Sequence, residues 1–158
     1  MRDRQRAAAL GRDGSPADVD RGIWSAVEFS NSLPVESYPD GLATIHLQGR
    51  RMAGFHERFD VVMSPTLAQP PVLLGTQHTN NPDSEAYGRA LAEFIPFTQI
   101  FNLTGQPSMS VPLHWTDGSL PVGVMFSAPF GDEATLFRLA GQLEKARPWF
   151  SRVPGSLT

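Results

Sequence analysis

The apolar positions along the chain follow two periods, one helical and one alternating, and their order predicts the elements. Beyond Pro16, the residues Val19, Ile23, Ala26, Val27 and Ser30 recur at helical spacing. Ser15 is placed as the N-cap and Pro16 at the first helical position. The sequence NSLP at 31–34 closes that helix. A second helical stripe runs through 40–58, carried by Leu42, Ile45, Gly49, Met52, Ala53 and Phe59, with Arg50, Arg51 and Glu57 off the stripe. At Phe59 the period changes. FDVVMSPT (59–66) is a short apolar run closed by Ser-Pro, which predicts a buried strand. Residues 67–84 are rich in Pro, Asn and Gly and read as a long loop, a feature often functional or mobile in compact domains. A short helix is expected over 86–93. Pro96 opens another, PFTQIFNLTG, and Gly105 stands where a left-handed C-cap residue is needed. PSMSVPL (107–113) and PVGVMFSAP (121–129) read as strands. Asp117-Gly118 between them signals a hairpin turn, while a mixed sheet stays open as the alternative. The helix over 131–148 has the fullest set of signals: Asp132 as N-cap, a stripe of Leu136, Leu139, Ala140 and Leu143, basic Lys145 and Arg147 at its end, and Pro148 as the stop.

Strands interleaved with helices place the chain in the α/β class, with a mixed β-sheet of about three strands and helices packed on it. About five helices against three strands is an imbalance, because so small a sheet cannot cover them all. The fold therefore reads as part of something larger. The expected organisation is a flexible segment at 1–15, a folded portion at 16–150 and a tail at 151–158.

Composition narrows the chemistry. At 158 residues the chain is long enough for one domain with a sizeable core. A net charge of −3 gives no basic surface for nucleic acid. No apolar run approaches the roughly 18 residues of a membrane span. The start, MRDRQRAAALGRDGSP, has charge but no apolar core of a secretory signal. There is no cysteine, so disulfides, thiolate metal sites and a cysteine nucleophile are excluded, and a cytoplasmic setting is the expectation. The four histidines, His46, His56, His78 and His114, form no metal-binding spacing, and neither metal nor cofactor is expected. No Gly-x-Ser-x-Gly elbow and no Gly-Gly pair occurs. Asp132 and Glu133 are explained by helix N-terminal charge rather than by acid–base work. The segment FTQIFNLTGQPSMSVPL (97–113) has a structural explanation, with Asn102 and Thr104 satisfying helix-end backbone groups.

Three motifs in order change that picture. FDVVMSPTLAQPP, PFTQIFNLTGQPSMSVPL and GSLPVGVMFSAPFGDEATLFRLAGQLE together resemble the C-terminal third of the amidase signature family, over residues 16 to 148. The SPTLAQPP form is similar to that of acylamidases and oligoamide hydrolases. The resemblance implies amide hydrolysis by a Ser–cis-Ser–Lys set, with backbone N–H groups of a Gly/Ser-rich loop holding the oxyanion. It also implies that this set is missing here. Lys145 is the one lysine; it follows every matched motif, whereas the family's lysine precedes its serine loop. Catalytic residues: none transfer. By the same resemblance Thr66, Gln69, Phe97, Phe101 and Asn102 are candidates for the wall of the acyl pocket, with packing or capping open as the other reading of each. The implied function is the C-terminal part of an amidase-signature hydrolase, inactive alone. The alternative is a non-catalytic binding or assembly module, or the complementing half of a split amidase. The expected partners are a second copy of the chain or the missing N-terminal amidase portion, with no nucleic acid and no membrane.

Overall fold

The computed structural model describes residues 8–9, 11–118 and 120–152. Parts of the expected flexible segment and tail, 1–7, 10 and 153–158, lie outside the described residues, as does Ser119. The chain divides into two compact units, one of residues 1–37 with 72–92 and one of residues 38–71 with 93–158.

In the first unit, Pro16 opens only a short 3-10 turn, Pro16–Asp18, and the helix itself, α1, is Arg21–Ser32. The expected single helix from Pro16 is therefore corrected, and its side chains explain why. Asp18 turns back on the turn, accepting from the Ser15 backbone N–H at 2.8 Å and from the Ser15 hydroxyl at 2.9 Å. The Arg12 guanidinium grips the same carboxylate at 2.6 Å and 2.8 Å. These bonds hold the Asp18 carboxyl well below the usual carboxylate range, the Arg12 hydrogen bond being the largest cause. The chain then extends at Val19, and Asp20 becomes the N-cap of α1. The Asp20 side chain makes no capping hydrogen bond to its own helix. Its carboxylate accepts from the Thr79 hydroxyl and from the Asn80 amide, and Asn80 Oδ1 in turn accepts the Arg21 backbone N–H at 3.0 Å. The Gly22 N–H donates to the Thr79 carbonyl at 2.6 Å. The second half of the long loop is thus tied to the start of α1, and Asp83 then caps helix α3 (Ser84–Phe94) by accepting the Ala86 N–H at 2.8 Å.

The second unit takes in most of helix α2 (Ser37–His56), strand β1 (Val62–Pro65), helix α4 (Gln99–Thr104), strands β2 (Ser108–Trp115) and β3 (Pro121–Ser127), and helix α5 (Glu133–Ala146). The sheet order is β1-β3-β2. Three strands are present as expected, but both ladders are antiparallel rather than mixed. The β2–β3 hairpin closes where Asp117-Gly118 predicts it: the Thr116 N–H donates to the Leu120 carbonyl at 2.9 Å. Its register slips by one residue between Pro112 and His114, where a proline without an N–H cannot complete the ladder.

Alternation sorts the strand residues onto two faces. Met109, Val111, Val124 and Phe126 share one face by register. Val111, Phe126, Ala128 and the α5 residue Leu136 are buried together, with Leu139, Leu143 and Trp149 packed against them. The α5 N-cap is Asp132, as expected, accepting the Thr135 N–H at 3.3 Å and the Thr135 hydroxyl at 2.6 Å. The Thr135 hydroxyl is the main cause holding the Asp132 carboxyl below its ordinary value. After α5 the chain returns to β2, with the Arg152 guanidinium 4.2 Å above the Trp115 ring.

The joint at 97–113 is backbone geometry first. Helix α4 starts at Gln99, three residues after the expected Pro96, and ends at Gly105 with φ 75°, whose N–H donates to the Phe101 carbonyl at 2.9 Å. The Thr104 hydroxyl donates to the Ile100 carbonyl at 2.9 Å, as expected, whereas no hydrogen bond of the exposed Asn102 side chain is seen among the described residues. A Cβ at Gly105 would also stand 3.2 Å from the Phe130 ring. Urea denaturation should therefore rank Gly105→Val as the costlier change, at about 1–2 kcal/mol or more. Asn102→Ala should stay within about 0.5 kcal/mol. The reverse order would mean that Asn102 holds a network this geometry lacks. Asp132 adds a pH dependence. Its folded carboxyl is depressed, so its contribution is present above the ordinary carboxylate pKa and is lost as pH falls through the lower folded value. Asp132→Asn should flatten that acid limb in melts run across the acidic range.

Candidate functional site

The five candidate wall residues all lie in the second unit. Thr66 follows β1 and is half-buried; its N–H continues the ladder to the Gly123 carbonyl at 3.0 Å. Phe97 is half-buried just before α4, and Phe101 is buried in α4. Gln69 and Asn102 are exposed. No hydrogen bond joins any two of the five among the described residues. Phe101 serves packing, and its carbonyl takes the helix-end N–H of Gly105. Thr66 is the one of the five that the structure builds into a polar cluster.

That cluster adds two residues the sequence reading left out. The Thr66 and Ser110 hydroxyls lie 2.6 Å apart. They meet over Gly123, where a Cβ would stand 2.5 Å from Ser110 Oγ and 2.7 Å from Thr66 Oγ1. Glycine at 123 is therefore the condition for the two hydroxyls to touch. The next register step repeats the pattern: the Ser108 and Ser127 hydroxyls lie 2.7 Å apart, with Ser127 fully buried. Ser108, Ser110, Met125 and Ser127 share the face opposite α5. The signal for it was in the sequence, as serines two apart on β2. What could not be read was the register that sets them against Gly123 and Ser127.

Chemically, one hydroxyl of each pair donates to the other, which leaves the second O–H free to donate onward and lone pairs free to accept. Such a pair can hold a carbonyl or amide group. No hydrogen bond or ion pair of Lys145, exposed in the last turn of α5, is seen among the described residues. Among the described residues no group of three or more His, Asp or Glu is placed to hold a metal ion. Among them, too, no helix is long and apolar enough to cross a membrane.

Comparison with known proteins decides the family. A sequence model of the Amidase family matches residues 24–137. The chain belongs to the Amidase family. A Mycobacterium leprae (strain TN) protein named "Putative amidase AmiC" is 37% identical over 111 residues, covering 70% of this chain and 23% of that protein. The Mycobacterium tuberculosis (strain ATCC 25618 / H37Rv) protein named "Putative amidase AmiA2" is 35% identical over 105 residues, 66% of this chain and 21% of that protein. Among solved structures, 6-aminohexanoate cyclic dimer hydrolase superposes with a TM-score of 0.86 at 26% identity over 99% of this chain and 34% of its own. A bacterial aryl acylamidase of the amidase signature enzymes shares the fold, with a TM-score of 0.67 at 21% identity over 92% of this chain and 31% of its own. The chain thus spans between about a fifth and a third of the length of these relatives, and its fold is a portion of the amidase-signature fold.

The Gly123 geometry gives a direct test of the hydroxyl cluster. Gly123→Ala should destabilise the chain by about 1–3 kcal/mol, the usual range for an overpacked site. Ser110→Ala removes the oxygen that the new methyl strikes, so the double variant should recover part of that cost. A double-mutant cycle in urea measures the coupling, and additive costs would show that the two hydroxyls do not meet over Gly123.

Proposed function

We propose that this chain is the C-terminal part of an amidase-signature amide hydrolase, that it lacks the Ser–cis-Ser–Lys set, and that it hydrolyses nothing by itself. The observation that carries this reading is the coverage: nearly all of the chain superposes on one third of 6-aminohexanoate cyclic dimer hydrolase. Amide hydrolysis by a serine needs a base to take its proton and donors to hold the oxyanion. The family resemblance carries neither the catalytic lysine nor the serine loop onto this chain, and Lys145 is exposed on α5.

The chain's share in catalysis is then the wall of the acyl pocket. Thr66, steadied by Ser110, offers a hydroxyl to the amide. Phe97 supplies apolar surface, Phe101 supports it from within the fold, and the exposed amides of Gln69 and Asn102 are free to meet a ligand. The substrate is an amide with an apolar acyl part. The partner is the N-terminal portion of the amidase fold or, failing that, a second copy of the chain. The apolar side chains left at the surface, Phe55, Phe59, Leu103 and Phe130 in this unit among them, support that requirement.

The purified chain should show no turnover of acyl anilides or aliphatic amides above the uncatalysed rate. Turnover that survives rigorous purification and disappears when a serine of this chain is replaced would contradict the reading.

A further inference from the structure

The strand register decides which backbone groups the sheet leaves without partners. The Thr66 N–H donates to the Gly123 carbonyl at 3.0 Å, so Gly123, Met125 and Ser127 turn their backbone toward β1. Val124, Phe126 and Ala128 then turn theirs toward β2, and the Ala128 N–H donates to the Pro107 carbonyl at 3.1 Å. Met109 and Val111, opposite Phe126 and Val124, use their N–H and C=O groups on β3. Ser108 and Ser110 therefore turn theirs away from the sheet, and β2 is an edge of it. Both residues are exposed, and no hydrogen bond of their outward backbone groups is seen among the described residues.

The two edges of the sheet are not equivalent. On β1 the outward residues are Met63 and Pro65. Pro65 has no N–H, and its carbonyl already accepts the Ser64 hydroxyl at 3.0 Å. Arg58 and Asp60 stand just before that short strand, and charge beside an exposed edge discourages pairing. The β2 edge has no such guard. Residues 107–113 carry no charge, and Pro112 removes a donor only beyond Ser110.

We propose that the β2 edge pairs antiparallel with the β2 edge of a second copy of this chain, across a twofold axis at Met109, to give one continuous sheet. The proposal rests on the reading of the chain as an incomplete amidase fold and names the surface through which it associates. In this register Ser108 stands opposite the partner's Ser110, the two exchange both N–H···O bonds, and the axis repeats the pair. A register that set Ser110 against itself would bring Pro112 opposite Ser108 and lose a donor within the pairing, so the proline favours the Met109 axis. The side chains agree with it. On the α5 face the methionines at position 109 meet at the axis, and on the other face serine hydroxyls stand opposite serine hydroxyls. Both pairings are uncharged and self-complementary, which is why the occupant is a copy of the same edge.

The test is amide hydrogen exchange, resolved to single residues, on the full chain at low and at high micromolar concentration. The Met109 and Val111 amides should be protected at both concentrations, because β3 holds them. The Ser108 and Ser110 amides should be protected at high concentration and lose that protection on dilution, while Met63 exchanges fast throughout. Association with Ser108 and Ser110 still exchanging fast, or with concentration-dependent protection at Met63 instead, would overturn the proposal and leave the incomplete-fold reading standing. A monomer at high concentration would overturn it too, and the amide-hydrolysis assay then judges that reading separately. The register has its own check, since the chain holds no cysteine. Directly opposed residues of a non-hydrogen-bonded pair have Cα atoms about 4.5 Å apart, within the reach of a disulfide. Under mild oxidation Met109→Cys should cross-link two copies much faster than the exposed His114→Cys, and equal or reversed rates would overturn the Met109 axis. Exchange on the unaltered chain decides the edge even if a variant fails to fold.

Discussion

The packing of α5 against one face of the three-stranded sheet is the contact on which the second unit depends. A three-stranded antiparallel sheet gains independent stability only when one face is covered. Here Leu136 seats among Val111, Phe126 and Ala128, and Leu139, Leu143 and Trp149 extend the contact. Truncating Leu136 to alanine at such a site costs about 2–5 kcal/mol, against a total stability of about 5–15 kcal/mol for an ordinary domain. Covering one face with α5 also fixes what the other presents. Alternation puts Ser108, Ser110, Met125 and Ser127 there, and Thr66 joins them across Gly123. The helix that makes the core thereby sets which face carries the hydroxyls.

The core so made is small. Among the described residues six hydrophobics are buried and eighteen large ones are exposed, so most of the apolar surface has no cover within the chain. Phe29, Val35, Leu73, Leu74, Phe137 and Phe150 are each well over half exposed. Isolated exposed apolar side chains are ordinary; an excess of this size supports the proposed reading that further polypeptide covers them. The comparison with full-length relatives gives it a simple source, since about two thirds of the solved hydrolase has no counterpart in this chain.

What was legible in the sequence was what local chemistry decides. Asp132 as the α5 N-cap, Gly105 as the left-handed end of α4 and Asp117-Gly118 as the hairpin turn each need only a few neighbouring residues. The family could be read because three motifs stand in order along the chain. What was illegible was set by partners far away in sequence. The start of α1 moved from Pro16 to Arg21 because Asp18 closes the first turn on itself and Asn80, from the loop, receives the Arg21 N–H. Ser110 and Gly123 came into the site through strand register. His56 Nδ1 lies 2.9 Å from the Phe59 carbonyl, a contact that helical spacing does not show. Asn102 went the other way: its place at a helix end suggested a cap, and the backbone of Gly105 does that work instead.

On the proposed reading, the exposed apolar surface of this chain is covered by further polypeptide. Sedimentation equilibrium of the purified chain over a wide concentration range tests it most directly, because uncovered apolar faces and free strand edges drive association when nothing else covers them. The expected result is reversible self-association that grows with concentration and is fully developed at high micromolar chain. A homogeneous, folded monomer at that concentration would contradict it.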